Sequence, residues 1–192
     1  MSSLRPLKIA FTLFAFLLPA ASTFAAKPLE KLTACAYVED KYNDGDSFRV
    51  KCGDKDFVAR LYFIDAPETT LVEAERVRKQ SQHFGISLDD TLAVGTKATN
   101  FTRETLKQPF ELWTSWSPSG GRTVVPRYNA FVNAQGKSLI ELLVSNGLAR
   151  VYGNVTRLPD GQKSTAYKTK LVELESEARQ KKLGAWANSK GK

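Results

Sequence analysis

Residues 44–68 have the sequence DGDSFRVKCGDKDFVARLYFIDAPE, and this stretch decides both the fold and the chemistry expected of the chain. Within it, apolar residues alternate with polar ones between turn residues, as in antiparallel strands. The segments 44–47, 60–61 and 64–68 of this stretch contain the carboxylates of Asp46, Asp65 and Glu68 and the guanidinium of Arg60. The aspartates can bind a hard cation, the guanidinium matches the geometry of a phosphate, and the glutamate can act as a base. Together these groups suggest chemistry on a phosphodiester.

The strand pattern extends to both sides of these acids. Residues 34–42 and 46–52 are predicted to pair as strands, with turn chemistry at 43–45. A second turn at Gly53-Asp54 leads into a third strand over 56–64. In a flat hairpin Asp46 would face Leu61, and Asp65 would lie about 13 Å further on at ~3.3 Å per residue. The third strand must therefore bend if both aspartates are to bind one ion.

Two cysteines occur in the chain, Cys35 and Cys52. A turn centred on Asn43-Asp44 places them opposite each other, within disulfide range. Two other states remain open at this point: free thiols, and lipid attachment at Cys35, because Leu32-Thr33-Ala34-Cys35 resembles a lipoprotein cleavage box. Two sulfurs without a nearby histidine are too few ligands for zinc.

The N-terminus has the pattern of a secretory signal peptide over residues 1–25. Arg5 and Lys8 precede an apolar run, and small residues precede the expected cut after Ala25. We therefore expect an exported protein, secreted or periplasmic, with one domain over 26–192 and no membrane span. The formal net charge of the whole chain is +8, and the leader carries two of the basic residues. A basic domain of this kind favours a polyanionic partner only weakly.

The remaining elements alternate between helix and strand patterns. Residues 70–95 are polar and partly helical by pattern, with Ser87 and Asp90 as a capping pair. Further elements are predicted as a helix over 96–107, strands over 109–116 and 128–133, a helix from Ser138 through 146 capped by Gly147, an extended segment over 149–152, and a C-terminal helix from Tyr167 through Ala178 that ends by Gly184. Five main strands with interspersed helices predict a small closed barrel with helices on its flank.

The motifs resemble those of the staphylococcal nuclease (thermonuclease) family. That family has an Asp-Gly-Asp-Thr turn, an Arg-Leu strand and an Asp-(Thr or Ala)-Pro-Glu segment, and this chain has DGDS, RL and DAPE at matching spacing. The segments Asn146-Gly147-Leu148-Ala149-Arg150-Val151 and Leu183-Gly184-Ala185-Trp186 are similar to later segments of the family. The lone His83 argues against nucleases that depend on paired histidines.

The resemblance implies an α+β, mainly β fold: a five-stranded OB-type barrel with about three flanking helices. It implies that Asp46, Asp65 and the Ala66 carbonyl bind Ca²⁺, with Mg²⁺ as a second option, and that Glu68 is the base. Arg60 would contact the scissile phosphate. These residue types suit the chemistry, because carboxylate and carbonyl oxygens are ligands for hard cations and arginine donates two parallel bonds to phosphate.

The second phosphate-binding arginine and the base-stacking tyrosine are less well defined. Arg127 takes the place of the family's second arginine, although Pro126 replaces a glycine, and Arg122 is the alternative. Tyr152 is a candidate for stacking on a nucleobase, or a tyrosine of the core or rim.

The sequence therefore predicts an exported, metal-dependent nuclease that cleaves DNA, RNA or both, leaves 3′-phosphate ends and acts as a monomer. The alternative is a non-catalytic OB module that binds nucleic acid or protein. Retention of all four residues Asp46, Arg60, Asp65 and Glu68 favours the enzyme.

Overall fold

The computed structural model of the protein describes residues 27–120 and 125–190. The predicted signal peptide over 1–25 and the alternative arginine Arg122 lie outside these residues.

Eight strands and four α-helices form the regular structure of the described residues. The strands are β1 (Glu30–Tyr37), β2 (Ser47–Cys52), β3 (Lys55–Leu61), β4 (Ile64–Asp65), β5 (Phe110–Pro118), β6 (Arg127–Ala134), β7 (Lys137–Ser138) and β8 (Arg150–Val151). The helices are α1 (Ala74–Phe84), α2 (Leu88–Thr105), α3 (Leu139–Ser145) and α4 (Ser164–Gln180), and short 3₁₀ helices cover Leu71–Glu73 and Gly184–Asn188.

Five strands close into a barrel in the order β3-β2-β1-β5-β6. Closure comes from β3 and β6, which pair in parallel, whereas the other neighbours in this order are antiparallel. The short strands β4 and β8 form a separate antiparallel pair. The predicted OB-type barrel is thus confirmed, and the extra helix relative to the three expected is α1, which forms within the polar segment 70–95.

The first hairpin has the predicted register but different ends. Tyr37 faces Val50, and Cys35 and Cys52 form the disulfide, with their Cα atoms 4.2 Å apart. Strand β1 ends at Tyr37 instead of residue 42, because the Asn43 side chain replaces strand pairing there: its Nδ2 donates to Val38 O (2.9 Å) and its Oδ1 accepts from Arg49 N (2.8 Å).

Side-chain caps set the helix ends. Ser87 Oγ accepts a hydrogen bond from Asp90 N (3.0 Å), so α2 begins at Leu88, as this capping pair predicts. The same helix continues to Thr105, so the separate start predicted at residue 96 is wrong. Ser138 caps α3 in the same way, with Glu141 N donating to its Oγ (3.4 Å). Gly147 has φ +65°, the left-handed conformation predicted for it.

The hydrophobic core fills the barrel and continues beneath α3 and α4. Its largest fully buried side chains include Phe48, Phe57, Phe63, Phe84 and Leu171. Among the helices of the described residues, none is both long and apolar enough to cross a bilayer.

Candidate functional site

A tight turn over residues 44–47 directs the Asp46 side chain into the protein interior. Asp44 Oδ1 accepts hydrogen bonds from Asp46 N (2.9 Å) and Ser47 N (2.6 Å), which closes the turn locally. Gly45 rests against helix α2: its carbonyl accepts from Thr102 Oγ1 (2.7 Å), and a Cβ at this glycine would lie 2.6 Å from a side-chain atom of α2. The close approach explains why the turn contains glycine, and it leaves the Asp46 side chain fully buried.

The bend that brings Asp65 back toward Asp46 occurs just after β3. Leu61 N donates to Asp46 O (2.8 Å), so these residues face each other as expected. Phe63 then has φ +67°, an unusual value for a bulky residue, and the chain turns back. As a result Ala66 N donates to Asp46 Oδ2 (2.5 Å). The DAPE segment therefore lies directly on Asp46 rather than about 13 Å away.

Arg60 connects the two aspartates. Its Nη1 forms an ion pair with Asp46 Oδ1, and its Nη2 lies 3.3 Å from both Asp65 Oδ1 and Ile64 O. Burial lowers the pKa of Arg60, against the opposing effect of the Asp44 and Asp65 carboxylates. The guanidinium is thus held by acids on both sides at the end of the barrel.

Asp65 is the most heavily contacted carboxylate of the site. Its Oδ1 is contacted by Arg60 Nη2 and Arg76 Nη2, and its Oδ2 by Gln80 Nε2 (2.9 Å) and by Arg150 Nε and Nη2 (both 2.9 Å). Burial disfavours its ionised form, but Arg76, the Gln80 hydrogen bond and Arg60 outweigh burial and hold the pKa of Asp65 below its ordinary value. Asp65 is therefore ionised at neutral pH.

Glu68 lies beside this carboxylate, with its side chain 17 % exposed. Its Oε1 is 2.8 Å from Arg76 Nη1, and its backbone N donates to Gln80 Oε1 (3.0 Å). Burial raises the pKa of Glu68 above its ordinary value, although Arg76 opposes the shift. Helix α2 packs on the same backbone, since a Cβ at Gly95 would lie 2.2 Å from Glu68 O.

Three residues that contact Asp65 were given no role by the sequence analysis. Arg76 and Gln80 are four residues apart on α1, and Arg150 lies in β8. The signal for Gln80 is its place on the helix face of Val77 and Phe84, where the structure buries all three side chains. An amide on such a face needs buried partners, and Asp65, Ala66 and Glu68 supply them.

The last two predicted residues contact other groups. Arg127, the first residue of β6, donates from Nη1 to Gly120 O (3.1 Å). Burial lowers its pKa against the opposing effect of Asp44. Tyr152 is 62 % exposed, and the guanidinium carbon of Arg150 lies 4.7 Å from its ring centre. The tyrosine is thus at the surface beside the acid cluster and not in the core.

The predicted metal ligands provide the kind of donor that a hard cation requires. Asp46, Asp65 and the Ala66 carbonyl converge, and all offer oxygen. Asp46 Oδ1 is already paired with Arg60, the Asp65 oxygens contact the donors named above, and Ala66 O accepts from Gln80 Nε2 (2.9 Å). In the described residues no group of three or more His, Cys, Asp or Glu side chains is placed to hold a metal by side chains alone. The donor set therefore fits Ca²⁺ in the kind of ligand, and an ion there must exchange with arginine contacts.

A comparison of the sequence with known protein families finds a match. The model of the family described as staphylococcal nuclease homologue matches residues 58–188. The chain belongs to this family. The matched range contains Arg60, Asp65, Glu68 and Arg127, whereas Asp46 precedes it. Members of the family are usually nucleases and in general depend on Ca²⁺. A search of curated proteins finds no match to the chain.

Proposed function

We propose that the protein is an exported, Ca²⁺-dependent nuclease that hydrolyses phosphodiester bonds of DNA, RNA or both. The observation that carries the proposal is the pair of bridging arginines: Arg60 joins Asp46 to Asp65, and Arg76 joins Asp65 to Glu68. Side chains up to 30 positions apart in the sequence, from Asp46 to Arg76, thereby form one cluster of acids and guanidinium groups. Export is proposed from the leader pattern over 1–25.

In this proposal Glu68 takes a proton from the attacking water as oxygen bonds to phosphorus. Burial raises the pKa of Glu68, which makes its carboxylate a stronger base. The bond to the 5′ oxygen breaks in line with the attack, the 5′ oxygen takes up a proton, and a 3′-phosphate end remains. Arg60 donates to the non-bridging oxygens, where negative charge increases in the transition state.

Arg127 is proposed as the second phosphate contact. Its Nε is buried and has no acceptor within residues 27–120 and 125–190. A buried N–H without a partner is costly, and a phosphate oxygen would provide one. Ca²⁺, held by Asp46, Asp65 and the Ala66 carbonyl, would polarise the same phosphate. Tyr152, exposed beside Arg150, is proposed to stack on a base.

The test is digestion of plasmid DNA and of single-stranded RNA by the purified protein, with CaCl₂ or with chelator. We expect cleavage that requires the metal, and 3′-phosphate ends detected by phosphatase-dependent extension of the products. Glu68→Gln and Arg60→Lys should each reduce the rate by at least about 100-fold while thermal unfolding stays cooperative. Near-wild-type turnover of either variant would contradict its role.

The non-catalytic OB module makes the opposite prediction. Binding of oligonucleotides without cleavage, at any Ca²⁺ concentration and in either nucleic acid, would replace the nuclease proposal with that module. The basic side chains of the cluster would then serve binding only.

A further inference from the structure

Arg76 is the one arginine of the cluster that lies on a helix outside the barrel. It extends from the first turn of α1 and contacts Asp65 Oδ1 with Nη2 and Glu68 Oε1 with Nη1 (2.8 Å). In the described part of the chain, its ion pairs are to these two acids. One guanidinium thus bridges a proposed metal ligand and the proposed base.

The other two arginines on Asp65 are anchored more firmly. Arg150 also donates from Nη1 to Lys79 O (3.3 Å), and 10 % of its side chain is exposed. Arg60 also pairs with Asp46 and is 12 % exposed. Arg76 is 33 % exposed, so it can leave Asp65 for solvent at a smaller desolvation cost than the others.

A divalent cation and Arg76 require the same acceptor. Asp65 accepts five contacts: one each from Arg60, Arg76 and Gln80, and two from Arg150. Two carboxylate oxygens offer about four lone-pair sites, so the carboxylate is already saturated. A cation can bind Asp65 only when one of these donors leaves.

Building on the proposed function, we propose that Arg76 is an internal competitor of the divalent cation: binding of Ca²⁺ to Asp65 displaces the Arg76 guanidinium. The affinity of the site for Ca²⁺ is then set by this exchange. The displaced guanidinium retains Glu68 as a partner or turns to solvent, so the same step changes the surroundings of the base. Arg76 thus controls the access of the cation to Asp65 and contacts Glu68 at the same time.

Isothermal titration with CaCl₂ tests the competition without substrate or turnover. We expect Arg76→Gln to bind Ca²⁺ at least about tenfold more tightly than the wild-type protein, because a like charge on the same carboxylate is removed. The matched control is Arg78→Gln, which removes the same charge two positions away, where Arg78 pairs with Glu75 (2.6 Å) on the exposed side of α1. The control should change affinity by less than about twofold, since exposed charges are screened.

Three results would overturn the proposal: Arg76→Gln binds Ca²⁺ no more tightly than wild type, Arg78→Gln tightens binding as much, or neither wild type nor Arg76→Gln binds Ca²⁺. If Arg76→Gln does not unfold cooperatively, Arg76→Lys decides. A lysine ammonium cannot bridge Asp65 and Glu68 as a guanidinium does, so affinity should rise, and no rise would refute the competition. Failure of the nuclease proposal has a different signature, because it appears in digestion by the wild-type protein.

Discussion

Replacement of Gln80 by methionine tests whether one buried amide holds the candidate site together. Gln80 is fully buried on α1. Its Nε2 donates to Asp65 Oδ2 and Ala66 O (both 2.9 Å), and its Oε1 accepts from Glu68 N (3.0 Å). Methionine has a similar shape and helix propensity, so the substitution removes these three hydrogen bonds with little change in packing.

The expected loss follows from these bonds. A typical hydrogen bond contributes about 1 kcal/mol net, and a buried polar group left without a partner costs ~1–3 kcal/mol. Asp65 keeps its arginine donors, but the Ala66 carbonyl and the Glu68 amide lose theirs. We therefore expect Gln80→Met to lower the free energy of unfolding by about 3 kcal/mol. The rate of nucleic acid cleavage should fall as well, because Ala66 and Glu68 lose the group that fixes their position.

Urea unfolding followed by circular dichroism measures the change, with the slope m checked for each variant. Gln82, an exposed glutamine on the same helix, provides the control. Gln82→Met should stay within about 0.5 kcal/mol of wild type. A loss below about 1 kcal/mol for Gln80→Met, or equal losses for the two variants, would refute the role assigned to Gln80.

Three further predictions address the base, helix α2 and the disulfide. Burial raises the pKa of Glu68 and the base acts in its ionised form, so kcat/KM should fall as the pH decreases through a value above the ordinary pKa of 4.5. If the acidic fall of kcat/KM has its midpoint at or below pH 4.5, Glu68 is not this base. Gly95→Ala should destabilise the protein and slow cleavage, because the new Cβ would lie 2.2 Å from Glu68 O, whereas most glycine-to-alanine changes in helices are stabilising. Thermal unfolding measures the change in stability, with the exposed Thr96→Ala as the control. A gain in stability for Gly95→Ala would contradict the prediction. Replacing Cys35 and Cys52 by alanine should cost about 3 kcal/mol in urea unfolding for a sequence separation of 17, and no loss would exclude a stabilising bridge.

The hairpin register and the helix caps of this fold were predictable from residue types. The register that pairs Cys35 with Cys52 followed from the turn at 43–45, and the caps at Ser87 and Ser138 followed from side chains three residues before an acidic partner. Such features depend on backbone preferences and hydrogen bonds within a few residues, so sequence pattern is sufficient for them. The helix boundary at residue 96 was wrong because the cap at Ser87 was not extended through the polar residues after it.

The polar segment 70–95 shows why part of the site was missed. Its charged residues indicate a solvated surface, yet α1 within it places Gln80 in full burial and Arg76 on two carboxylates. The charge pattern is the same whether a helix faces water or covers an acid cluster. Only packing of α1 against the DAPE segment distinguishes the two.

The sequence by itself determined the barrel class, the hairpin register that places Cys35 opposite Cys52, and the residue types able to act on a phosphodiester. The tertiary structure alone decided that Asp46 meets the DAPE segment, through the turn at Phe63, and that Arg150 reaches Asp65 across 85 positions of the chain. The physical reason is range: local patterns fix backbone angles and buried faces, whereas ionic contacts between distant residues form only once closure of the barrel and burial of the core have placed them together.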